Sequence, residues 1–237
     1  MNISIKALAR IGGLLYLINI AFGFFAVGYV PDVIYVSWNA SASAHNIILH
    51  ENIYRLGLVA HIIILITNIP LAVIFYNLFK VVNRTISLLV VLFTMVGTSI
   101  EAANLLSPFA SLVLLKGKYY SNTFTSEQLS SLSYMFQQLE GIGFNISLVF
   151  FGFYCISVGC LIFKSTFLPS LVGILMAIGG VCYLVNSFTS FLSPSMAGKL
   201  FPFIQLPSGL AELSFTLTLL IMGVNKKKWL LKQSLDV

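Results

Sequence analysis

The chain has 237 residues and a formal net charge of +6, with 58% hydrophobic and 8% charged residues and a mean hydropathy of +0.97. Soluble domains carry roughly 25% charged residues, so the composition excludes an ordinary water-soluble protein and reads as an integral membrane protein. About 140 residues fall in long apolar stretches, leaving no segment large enough for a domain outside the bilayer, and a single domain over 1–237 is expected. The positive charge does not point to nucleic acid. Lys226, Lys227, Lys228 and Lys232 sit just past the last apolar stretch, where lysines near an anionic leaflet act as a topology signal.

A hydrocarbon core of about 30 Å needs about 20 helical residues. The first span on that measure is Ile11–Val30, behind Lys6 and Arg10. It exceeds the roughly 7–15 residues of a signal-peptide core, so an uncleaved span is expected. The second span, about 56–79, follows a connection holding His45 and His50 and contains Asn68 and Pro70; the third, about 86–115, contains Pro108. These prolines mark expected kinks. Between Lys116 and Gln138 the run Ser126-Glu127-Gln128 reads as the capped start of a helix along the membrane interface that joins the fourth span, about 139–163. The fifth span, about 169–192, follows a short turn, and the three prolines between Ser193 and Pro207 predict an ordered, irregular cap before the sixth, about 208–224. The fold class is therefore all-α: a polytopic bundle of six transmembrane helices with an interfacial helix before the fourth.

Six crossings put both termini on one side. With the N-terminus inside, Lys6, Arg10, Lys80, Arg84, Lys164 and the four tail lysines are cytoplasmic, against Lys116, Lys118 and Lys199 outside, with Arg55 at the outer end of span two. The excess of basic residues inside gives a multi-pass plasma-membrane protein with cytoplasmic termini. The longer connections then face outward, the side from which a ligand would approach. Cys155, Cys160 and Cys182 all lie in apolar stretches and behave as small hydrophobes, with neither a disulfide framework nor a thiol metal site implied.

Three acidic residues, Glu101, Glu140 and Glu212, lie well inside the apolar stretches. An ionisable group at that depth costs at least ~2.5–3.5 kcal/mol and is retained where it faces the protein interior, water or a partner. Counted at about 1.5 Å per residue from the cytoplasmic ends, Glu101 and Glu212 lie about 21–22 Å up, Asn186 about 25 Å and His61 about 28 Å, one layer from four helices. Thr94, Gly97, Glu101 and Asn104 form one helical stripe, as do Ser208, Glu212 and Thr216. Arg55 has Glu51 four residues before it, a favoured helical pair, or can turn inward to Glu140, to Glu101 or to an anionic ligand. The candidate ligand-binding set is Arg55, His61, Glu101, Asn104, Glu140, Asn186 and Glu212. His61, Glu101 and Glu212 could supply a two-carboxylate, one-imidazole metal set, but no paired-His spacing accompanies them. No metal, no cofactor and no catalytic residue is expected, and no phosphate loop or nucleophile elbow is present.

From Phe150 the residues FFGFYCISVGCLIFKSTFLPSLVGILMAIGGVCYLVNSF combine a glycine-spaced helix ending in Lys164-Ser165, then Leu168-Pro169, then a Gly-rich helix with Tyr183 and Asn186. With the opening ARIGGLLYLI and the stretch from Asn46 through Glu51 to Arg55-Leu56-Gly57, they resemble a bacterial multi-pass family catalogued as domain of unknown function 4386. The resemblance implies six spans and no activity. The residues themselves favour a binding or transport protein whose polar chamber, open to the outer side, accepts a small molecule, ion or lipid headgroup. The alternatives are a structural or accessory membrane subunit and, third, a membrane-embedded hydrolase with a glutamate as general base. The lipid bilayer is the expected surrounding and nucleic acid is not a partner; oligomeric state is not encoded in any pattern here.

Overall fold

The computed structural model of the protein describes residues 3–234. It is 89% helical, with no strand among the described residues. In chain order the helices are α1 (Ile5–Ile34), α2 (Ala40–Leu49), α3 (Glu51–Phe79), α4 (Arg84–Lys116), α5 (Lys118–Thr123), α6 (Ser126–Ser165), α7 (Ser170–Leu192), α8 (Pro194–Leu200), α9 (Phe203–Met222) and α10 (Lys226–Ser234). Six of them, α1, α3, α4, α6, α7 and α9, are long and apolar enough to cross a membrane. The expected all-α, six-span membrane protein is what the structure contains. The chain ends, assigned to the cytoplasm from charge, lie outside the described residues.

Proline and capping chemistry explain where the helices depart from the sequence-based bounds. Helix α1 runs beyond Val30 and widens into a π-helical segment at Phe24–Tyr29, just before Pro31, whose missing N–H and bulky ring disturb the regular ladder. Helix α4 breaks at Leu105, because Pro108 cannot donate to the Asn104 carbonyl. Pro70, by contrast, sits inside an uninterrupted α3. The interfacial helix and the fourth span are one unbroken helix of 40 residues. Its cap is Thr125 rather than Ser126: the Gln128 N–H donates to Thr125 Oγ1 at 3.3 Å and the Thr125 N–H donates to Gln128 Oε1 at 2.9 Å, a reciprocal capping box.

By contact the chain divides into two compact units: Met1–Ile18 with Thr67–Thr98 and Asn145–Val237, and Asn19–Ile66 with Ser99–Phe144. In the first unit, α6 and α7 approach backbone to backbone. A Cβ on Gly159 would lie 2.6 Å from the Gly173 carbonyl oxygen, and one on Gly180 would lie 2.5 Å from that of Gly152. The two contacts are seven residues apart on both helices, so an antiparallel seam of small residues carries the pairing. Phe75, Phe79 and Phe215 are fully buried beside Tyr16 and Tyr154. The lysine-rich tail forms α10, and the Trp229 indole N–H donates to the Leu78 carbonyl at 2.9 Å. The turn between α6 and α7 holds Thr166 at φ 58°, and the Phe167 carbonyl there accepts from the Asn225 N–H at 3.2 Å.

The second unit has its own core of Val30, Ile34, Ile47, Tyr54, Leu58, Leu105 and Leu112. Helix α2 fills what the sequence shows only as a connection; Asn39 Oδ1 caps it by accepting from the Ala42 N–H at 2.9 Å. The rings of Tyr35 and Tyr134 stack at 5.3 Å and their hydroxyls share a 2.7 Å hydrogen bond. The N–H of Trp38, 93% exposed, donates to the same Tyr134 oxygen at 2.9 Å.

Candidate functional site

In the second unit, Tyr54, Leu58 and His61 follow the i, i+4, i+7 spacing that puts side chains on one face of α3. His61 Nε2 lies 3.2 Å from Glu101 Oε1, and both residues are buried, Glu101 at 8% exposure. The other carboxylate oxygen, Glu101 Oε2, has no hydrogen-bond partner. Glu140, from α6, interacts electrostatically with both His61 and Glu101, and Tyr54 interacts with Glu140. The imidazole is the one basic group in this set.

Side-chain bonds to backbone carbonyls hold the surround next to the Leu105 break. Asn104 Nδ2 donates to the Glu140 carbonyl at 2.8 Å, and its amide occupies the space a Cβ on Gly143 would need. Glycine at 143 is therefore what lets α6 come this close to Asn104. The buried Tyr54 hydroxyl donates to the Pro108 carbonyl at 3.0 Å. The arrangement can hold and exchange a proton, or accept a small cation, at a carboxylate oxygen that no donor already occupies.

Arg55 takes the nearer of its two options. Its Nε donates to Glu51 Oε1 at 2.8 Å, and Lys116 Nζ lies 2.8 Å from Glu51 Oε2, with the arginine side chain 54% exposed. An exposed pair of this kind adds little to stability, because solvent screens it.

Asn186 and Glu212 belong to the first unit, so the four-residue layer counted from the sequence divides between the two. Asn186 is buried and its Nδ2 donates to Asn145 Oδ1 at 3.1 Å. Glu212 accepts a hydrogen bond from the Tyr183 hydroxyl, and Tyr16 also acts on its carboxylate. Among the described residues, no three His, Cys, Asp or Glu side chains gather as a metal-binding group.

The tyrosines are what sequence reasoning missed. Tyr54 is readable only as one turn from Leu58 and two from His61, and Tyr16, Tyr154 and Tyr183 look like ordinary apolar-face aromatics until their hydroxyls are placed around Glu212. Gly143 carries no signal in the sequence, since its role depends on a side chain of another helix. Over residues 11–223 the chain matches the family described as Domain of unknown function (DUF4386). No curated protein and no solved structure matches it.

Proposed function

We propose, for a chain that belongs to the DUF4386 family, a role in binding or transporting a small solute, with His61, Glu101 and Glu140 taking up the proton that accompanies it. The family description assigns no activity, so the reading rests on the site. One observation carries it: Glu101 is buried, one oxygen faces His61, and the other has no hydrogen-bond partner. Leaving such an acceptor unsatisfied costs about 1–3 kcal/mol or more, and a proton or cation removes that cost. Intramembrane acid and imidazole groups serve ion and proton pathways for this reason.

The solute reaches the cluster from the outer side of the plasma membrane, with the Arg55, Glu51 and Lys116 network at the rim. The division of basic residues, nine against three, supports this orientation, with cytoplasmic termini and a lipid surround. A second reading, a structural or accessory subunit, draws on the bonds from Asn104 to the Glu140 carbonyl and from Tyr54 to the Pro108 carbonyl, which tie a side chain of one helix to the backbone of another without any ligand.

Thermal unfolding of the purified protein separates the two. Imidazole changes charge between about pH 5 and pH 8, so the parent unfolds at different temperatures at those two values if the cluster exchanges protons. Glu101→Gln keeps the shape, folds, and flattens that difference. A parent whose midpoint is the same at both values, or a Glu101→Gln variant that keeps the full difference, assigns the cluster to packing.

A further inference from the structure

We infer that the first unit carries a phospholipid site, in which Lys6 and Lys226 hold the phosphate of an anionic phospholipid in a cleft between the start of α1 and the turn from α9 to α10. Lys6, Pro169, Met222, Gly223 and Lys226 all line this cleft. Gly223 brings its two sides together. Its φ of 64° turns the chain out of α9 in a conformation that favours glycine, and a Cβ there would lie 2.9 Å from Lys6 Cγ and 3.6 Å from Lys6 Cε. The lysine stem therefore lies across the turn that leads to Lys226. One turn along α1, Arg10 Nη2 donates to the Ile221 carbonyl at 3.3 Å, which fixes a third cation one residue from the Met222 wall.

Charge and surface select the occupant. Among the described residues of this unit Glu212 is the one acidic side chain, and it accepts from the Tyr183 hydroxyl. Neither Lys6 nor Lys226 has an ion-pair partner among the described residues. An anion in the cleft thus meets two ammonium groups and no carboxylate, and charge-assisted bonds to phosphate oxygens suit that pairing. The apolar surroundings argue for a lipid phosphate over a soluble one. Helix α9 is long and apolar enough to cross a membrane and ends at Met222, and Ile221 and Met222 are exposed, so a headgroup seated in the cleft leaves its acyl chains along these side chains. Leu230 and Leu231 are exposed on α10 among its lysines, the mixture of apolar and basic groups that lies in a membrane interface. Basic pockets at the ends of membrane helices take anionic headgroups for these reasons.

The test is thermal unfolding of the full chain, purified in uncharged detergent and titrated with phosphatidylglycerol, with phosphatidylcholine or with inorganic phosphate. Phosphatidylglycerol should raise the midpoint by several degrees, and the other two should not at the same concentrations. Lys6→Gln and Lys226→Gln should each raise the phosphatidylglycerol concentration needed for half of that shift several-fold. Both lysines are exposed, so these variants fold. Lys227→Gln removes the same charge from the neighbouring position, outside the cleft lining, and should leave the titration close to that of the parent. Equal shifts from the two lipids, a shift that inorganic phosphate reproduces, or a loss in Lys227→Gln as large as in the other two variants overturns the site. The His61 cluster belongs to the other unit, so its pH response has no bearing on this outcome and the two readings fail separately.

Discussion

Glu101 and Glu212 are the same side chain at nearly the same counted depth, and their surroundings differ in kind. Glu101 faces an imidazole and has a second carboxylate in electrostatic reach, whereas Glu212 faces phenols and a thiol. Depth sets the cost of carrying a charge in a bilayer; the partners decide how that cost is met. Where a base is adjacent, a proton can move between neighbours. Where only neutral hydroxyls are adjacent, hydrogen bonds donated to the carboxyl oxygens offset that cost.

The sharpest way to break this contrast is to disrupt one surround and watch the other. Gly143→Leu would push the Asn104 amide off the Glu140 carbonyl, combining overpacking with a lost buried bond. A destabilisation of about 3 kcal/mol or more is expected in equilibrium unfolding, with the pH response lost. Tyr183→Phe deletes the hydroxyl that donates to Glu212. By the same measurement it should cost about 1.5–3 kcal/mol, the range for a bond to a charged group, and leave the pH response intact.

Outside both clusters, Tyr134→Phe removes the bonds to Tyr35 and to the Trp38 N–H, a loss of about 1–2 kcal/mol. Burial first, and then the hydrogen bond with Tyr134, push the Tyr35 phenol up from 10.0 to about 12. The unfolded chain therefore releases this proton earlier, and stability falls as pH rises from about 10 through about 12. Tyr134→Phe should flatten that fall in a chemical-denaturation series across the range. Arg55→Ala, which opens an exposed ion pair, should leave the unfolding midpoint close to that of the parent. A larger loss would mean that Arg55 belongs to the buried cluster and not to its rim.

Much of the fold was legible because a bilayer enforces it: about 20 apolar residues and a basic flank announce each crossing. What depends on a second helix was not. Gly152 and Gly159 show a seven-residue spacing, as do Gly173 and Gly180, but only the structure reveals that the pairs meet. Thr125 and Gln128 are a readable capping box, passed over for the adjacent Ser126. The tail lysines hid a helix because its one buried side chain among the described residues is Trp229. For the site, the carboxylates announced themselves by cost alone. His61, Glu101 and Glu212 fall at similar counted depths, yet His61 and Glu101 lie 3.2 Å apart while Glu212 belongs to the other unit, because rise per residue says nothing about the direction a side chain takes or about which hydroxyls surround it.

Infrared spectroscopy of the bilayer-reconstituted protein reads the carboxyl groups directly. The account predicts a carboxyl signal that Glu101→Gln removes and His61→Gln shifts, because the 3.2 Å contact ties the two side chains together, while Glu212→Gln leaves that signal in place. A carboxyl signal assigned to Glu101 that His61→Gln leaves unmoved would contradict proton sharing between His61 and Glu101.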